Sequence, residues 1–151
     1  MVRSIYIGSL LTLLLLLSGC TRNNGDIGNL FGTWRLETMT KNGEEVDLYS
    51  NLTKVYTWAF QSHIVRIQDI RDNMDYVNYY GSWCKEKDVL ILDFTYEDEN
   101  GNGEYLPPSP LHLNADGITR LDVNQTSSKE MKLSYRSVDD VEYSYYLRKI
   151  P

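Results

Sequence analysis

Val89-Leu90-Ile91-Leu92-Asp93-Phe94-Thr95-Tyr96 decides the fold class of this chain. Leu90, Leu92, Phe94 and Tyr96 occupy every second position, so an extended backbone puts all four on one face. That is the period of a half-buried strand. The same alternation recurs on both sides of it. Upstream, Thr33 to Thr40 sets Trp34 and Leu36 against Arg35 and Glu37; Lys54 to Gln61 is rich in aromatic and β-branched residues; His63 to Ile70 alternates loosely, and Tyr76 to Lys85 follows. Downstream, Ile118 to Asn124 opens after Asp116-Gly117. Met131, Leu133 and Tyr135 then alternate with Lys132, Ser134 and Arg136, and Val141 to Lys149 lines up Tyr143, Tyr145 and Leu147.

The connections support the same class. Asn42-Gly43 marks a turn, and Ser62 alone separates two strand-like segments, which requires a tight turn or a boundary shifted by a residue. Val46 to Thr53 reads as a short helix or an irregular lid. Glu97 to Pro110 is a long loop rich in Gly, Asn and Pro, residues that exclude a central strand. No segment of helical period exceeds a couple of turns. The chain is therefore all-β, with about eight strands in short-loop succession, an antiparallel meander. Eight such strands close into a barrel or split into a sandwich, and closure removes the exposed edges a soluble β-protein must protect. A small up-and-down barrel follows, with Trp34, Leu36, Leu90, Leu92, Phe94, Tyr143 and Leu147 as candidate inward residues. Side chains of that size can fill an eight-stranded interior by themselves.

Phe31-Gly32-Thr33-Trp34-Arg35-Leu36 resembles the first-strand Gly-x-Trp signature of lipocalins. Tyr80-Gly81-Ser82-Trp83, Val89-Leu90-Ile91-Leu92 and the closing Tyr145-Tyr146-Leu147-Arg148-Lys149 are similar to small lipocalin-like lipoproteins of Gram-negative bacteria, many of unknown function. The resemblance covers most of residues 30 to 150. It implies a calycin-type barrel whose tryptophan packs across the closed end. The chain departs from typical lipocalins in having no long helix after the last strand and no disulfide pinning its C-terminus, so the likeness supports the architecture more than ligand transport.

The N-terminus gives an address. Arg3 precedes an apolar run from Ile5 to Leu17, shorter than the roughly 20 residues a membrane-spanning helix needs. Leu17-Ser18-Gly19-Cys20 then reads as a bacterial lipobox, making 1–19 a lipoprotein signal peptide and Cys20 the lipid attachment residue. Two or more acyl chains anchor a protein stably where one does not. Residues 20–29 form a polar lipidated tether, and 30–151 the barrel domain. Thr21, with no aspartate directly after Cys20, resembles the sorting pattern of outer-membrane lipoproteins in enteric Gram-negative bacteria, here expected to face the periplasm.

Charge and chemistry narrow the function classes. Of 151 residues, 15 are Lys or Arg and 21 are Asp or Glu, a net of −6, which argues against nucleic acid as a partner. With Cys20 acylated, Cys84 is the one remaining thiol, so no internal disulfide forms, and Cys84 is expected to be a buried, small hydrophobe. Asp98, Asn100 and Asn102, followed by Gly103, match half of a calcium loop. Ser109 replaces the usual glutamate and Pro107-Pro108 blocks an exiting helix, so a solvated acidic turn is expected and no metal. His63 and His112 lack zinc spacing and read as surface or strand-end residues. No nucleophile elbow, phosphate-binding loop or cofactor motif appears, so no catalytic residue is assigned and a non-enzymatic protein is expected.

Twelve tyrosines are many for this length. Alternation sends Tyr79 and Tyr80 to opposite faces, and likewise Tyr145 and Tyr146. Exposed rings would make a contact patch, or simply suit half-buried strands. Two readings of function remain. One is a binding module for a small apolar or amphiphilic ligand near the open barrel end. The other is a filled barrel that engages an envelope protein through its outer surface and the 97–110 loop.

Overall fold

The computed structural model describes residues 28–49, 52–72, 75–95, 106–114, 116–125 and 127–151. The leader, Cys20, most of the tether and the Asp98, Asn100 and Asn102 loop lie outside the described residues. The strands are β1 (Gly32–Lys41), β2 (Glu44–Glu45), β3 (Thr53–Gln61), β4 (Ile64–Arg71), β5 (Tyr76–Glu86), β6 (Val89–Asp93), β7 (Ile118–Gln125), β8 (Glu130–Arg136) and β9 (Glu142–Ile150). Every neighbouring pair is antiparallel, in the order β1-β3-β4-β5-β6-β7-β8-β9. β9 returns to pair with β1 from Thr33↔Ile150 to Lys41↔Tyr143 and closes the sheet. The expected up-and-down barrel of eight long strands is therefore present, with two-residue β2 as an addition on the rim.

Turn chemistry sets the register where loops are shortest. Asn42 and Gly43 both adopt positive φ, +51° and +84°, and join Lys41 to Glu44. Positive φ at both central residues matches the right-handed twist of flanking strands, which is why Asn-Gly suits this hairpin. Ser62 (φ +50°) and His63 form the loop between Gln61 and Ile64, so β4 begins one residue later than the sequence suggested. Lys87 (φ +55°) and Asp88 do the same between Glu86 and Val89.

β6 is shorter than its alternation implied. The Asp93 carboxylate accepts from the Thr95 amide at 2.8 Å, a local turn that competes with the ladder. Phe94 nevertheless stays buried, and its amide donates to the Gly117 carbonyl at 2.6 Å. Tyr96 lies outside the described residues. Val46 to Tyr49 contains no helix, and it takes an irregular path along the seam between β1 and β3. These two strands pair only from Gly32↔Phe60 to Arg35↔Thr57. Beyond that the Tyr49 hydroxyl donates to the Leu36 carbonyl at 2.7 Å and accepts from the Tyr56 backbone N–H, bridging the seam.

All seven candidate inward residues are buried. Trp58, Tyr56, Phe60, Ile67, Trp83, Leu121, Leu133 and Tyr145 are among the residues that pack with them in the described core. Trp58 packs on Tyr145 with ring centres 5.5 Å apart, and Phe60 meets Trp83 edge-on at 5.3 Å. Cys84 corrects the sequence reading, because it is exposed. Trp83 takes the inner position on β5, and strand alternation turns its neighbour outward.

Candidate binding site at the mouth of the barrel

The two ends of the barrel are built differently. At the end where β1 starts, the chain enters through a 3-10 turn, Gly28–Leu30, whose Leu30 is buried. The Trp34 indole N–H donates to the Leu30 carbonyl at 2.8 Å. Lys149 sits directly opposite Trp34 in the ladder, with its ammonium 5.2 Å from the ring centre, and donates to the Asn29 carbonyl at 3.1 Å. This end is sealed, as the Gly-x-Trp resemblance implied.

The opposite end is the mouth, and a plug enters it. A second 3-10 turn, Ser109–Leu111, places Leu111 out of solvent and leaves Leu113 only 7% exposed. The Tyr145 hydroxyl donates to the Leu111 carbonyl at 2.6 Å, and the Tyr135 hydroxyl donates to the His112 carbonyl. Asn114 ties the far side of the plug, its side-chain amide donating to the Ile118 carbonyl at 2.6 Å and its backbone amide to the Thr119 hydroxyl at 3.0 Å. Burial pushes the Tyr135 hydroxyl up to about 12, with the neighbouring Tyr143 adding to it, and pushes Tyr145 well above its ordinary range. Both hydroxyls thus stay protonated donors at any physiological pH.

Beside the plug runs an open groove of about 560 Å³, within the size range of small-molecule sites. Its inner wall is an aromatic stack. His112 lies on Tyr143 at 5.1 Å and 13°, and Tyr143 lies on Tyr135 at 5.5 Å and 20°. Leu106, Pro107, Val138 and Val141 supply the apolar lining. Leu106 is 64% exposed and Val138 97%, so these side chains face solvent with no described residue covering them.

Lys41 reaches the groove because β1 is irregular. Its register with β9 shifts between Leu36 and Thr38, which exchanges the faces of the strand and puts Met39 and Lys41 in phase with the interior. Lys41 therefore stands opposite Tyr143 at the rim. No acidic group approaches the Lys41 ammonium within ion-pair distance among the described residues. Of the nearby acids, Arg136 holds Asp140 at 2.9 Å and Glu142 at 3.2 Å, while Glu44 stands opposite Lys41 across the β1–β2 hairpin without reaching ion-pair distance. Asp139 is the acidic residue among those lining the groove.

His63 is an exposed turn residue, as expected. His112 is exposed too, but its left-handed backbone (φ +51°) and its stack on Tyr143 place it in the groove, which its sequence context did not signal. Among the described residues no three His, Cys, Asp or Glu side chains gather as a metal site. Tyr80 and Tyr146 are exposed, and Tyr79 and Tyr145 point inward, as alternation requires. Tyr80 is on β5 and Tyr146 on β9, opposite walls of the barrel, so they do not form one patch. Inside the barrel, Trp58 Nε1, Trp83 Nε1 and Asp69 Oδ1 are buried without a hydrogen-bond partner among the described residues. Asp69 Oδ2 is engaged by Arg71 Nε at 3.2 Å.

Residues 15–149 match the sequence pattern of a family described as a lipocalin-like domain. No curated protein matches the chain. Solved structures that share the fold include two from Bacteroides. A lipocalin-like protein from Bacteroides uniformis superposes with a TM-score of 0.54 at 16% identity, covering 82% of this chain and all of that one. An uncharacterized protein from Bacteroides eggerthii gives 0.57 at 16% identity, covering 80% of this chain and 98% of that one.

Proposed function

The chain belongs to the lipocalin-like domain family, and from that premise we propose that it is a non-enzymatic binding module, held in the cell envelope by lipid on Cys20. Its ligand is a small apolar or amphiphilic molecule, and the place that takes it is the mouth groove. The observation carrying this reading is the open groove itself, which the exposed apolar side chains of Val138 and Leu106 line together with an aromatic wall. Solvated apolar surface in a concave site gains free energy when covered, about 25 cal/mol for each Å² removed from water. The lipobox supports the address, and Thr21 supports an outer-membrane site facing the periplasm.

The test is to purify the full chain from a bacterial envelope, extract it with organic solvent and identify what is released by mass spectrometry. A Leu106→Asp/Val138→Asp variant is treated in parallel, to subtract lipid that clings to the anchor. Both residues are mostly exposed, so the variant keeps its fold. A compound released from the native chain and absent from the variant supports the reading, and identical extracts overturn it. Incorporation of labelled fatty acid that is abolished by Cys20→Ala tests the anchor separately.

A further inference from the structure

We infer that the ligand of the mouth groove carries an anionic head group, and that Lys41 is the residue that selects it. This rests on the groove being the binding site. The charge layout carries the inference. A strand irregularity delivers Lys41 to the inner rim beside Tyr143, on a molecule whose net charge is −6 and whose surface offers many acids to pair with it. Its ammonium pairs with none of them within ion-pair distance among the described residues. Arg136 draws Asp140 and Glu142 to itself, which leaves Asp139 in the groove and Glu44 across the β1–β2 hairpin as the acids closest to competing for Lys41.

An anion lodged at Lys41 has the aromatic stack and the apolar residues within the same groove. The complementary molecule has a carboxylate or similar anion at one end and a hydrocarbon body lying on Leu106, Pro107, Val138 and Val141. The exposed His112 imidazole is a second donor toward the head group. Asp139 opposes an anion and would favour an ammonium, so the two charges of the groove make opposite predictions.

Octanoate, octanol and octylammonium, each below its micelle-forming concentration, separate those predictions. They are titrated onto the full lipidated chain in nanodiscs while the methyl resonances of Val138 and Val141 are followed. Partition into the disc cancels when the same compound is compared on native and variant chains. Octanoate is expected to bind more tightly than octanol by about fivefold, the scale of a partly exposed ion pair. Lys41→Met, which keeps the apolar stem, erases that preference; Asp139→Asn preserves or increases it. Equal binding of all three compounds, or a preference for octanoate that survives Lys41→Met, overturns the anionic head while leaving the groove as a site. Tighter binding of octylammonium that Asp139→Asn weakens reverses the sign and also overturns it. Absence of a methyl shift with every compound overturns the binding groove itself, and this inference with it.

Discussion

At Gly81 an added Cβ would lie 2.6 Å from the Asp93 carbonyl oxygen and 3.0 Å from the Phe94 ring. The first obstacle is backbone and cannot rotate away. Gly81→Ala must push β5 from the chain that leaves β6, and it loosens Phe94 in the core. The expected loss is about 1–3 kcal/mol, the range of overpacked interiors, read as a lowered midpoint in urea. An unchanged midpoint would mean that this approach is softer than the geometry implies. Gly32 has a different reason to be glycine, since its φ of +116° is one that L side chains rarely adopt. The two Gly-x-Trp triplets thus look alike in sequence and answer to different physics. Facing was legible at this scale wherever a large residue competed for the inner side. Trp34 and Leu36 against Arg35 and Glu37 is such a case. Cys84 was legible on the same rule, because Trp83 claims the core. Its outward placement is lost when a lone cysteine is read by its average burial and not by its neighbour.

Strands and turns were legible because their signals are local. The Asn42-Gly43 hairpin and the alternation of Met131, Leu133 and Tyr135 need no knowledge of a partner strand. The seam between β1 and β3 was not legible, because it depends on where two strands separate. Once they diverge, the Leu36 carbonyl and the Tyr56 amide have lost each other as ladder neighbours, and the Tyr49 hydroxyl serves both. Tyr49→Phe keeps the ring and leaves two backbone groups without a partner. The expected cost is about 1–2 kcal/mol, with faster hydrogen exchange at the Tyr56 amide than in the native chain. Unaltered stability together with unaltered exchange would show that water replaces the hydroxyl at no cost. The groove was hidden for a related reason. Lys41, the plug at 106–114 and the 135–143 hairpin lie far apart in sequence, and only closure of β1 on β9, with its register shift, brings them together.

Three buried phenols with raised pKa give the stability of the barrel a direction with pH. Burial is the main cause that raises Tyr56 and Tyr135 from the ordinary value of 10.0 to about 12, and it also raises Tyr145 well above its ordinary value. Below pH 10 these groups are neutral in the folded and unfolded chain alike, so their contribution is fully present. Between pH 10 and about 12 the unfolded chain releases phenolic protons that the folded chain retains, and stability falls as pH rises. Each such group lowers it by about 1.4 kcal/mol per pH unit in that window. Tyr135 and Tyr145 are also the donors that hold the plug carbonyls at His112 and Leu111, so ionisation of either in the folded state releases the plug from the mouth. Urea midpoints measured from pH 8 to pH 12 should be level up to pH 10 and decline beyond it. Tyr135→Phe starts from a lower stability, having lost one plug bond, and then declines more gently because one proton has left the linkage. A midpoint that stays level to pH 12, or a Tyr135→Phe decline as steep as the native one, would separate these hydroxyls from the stability of the barrel.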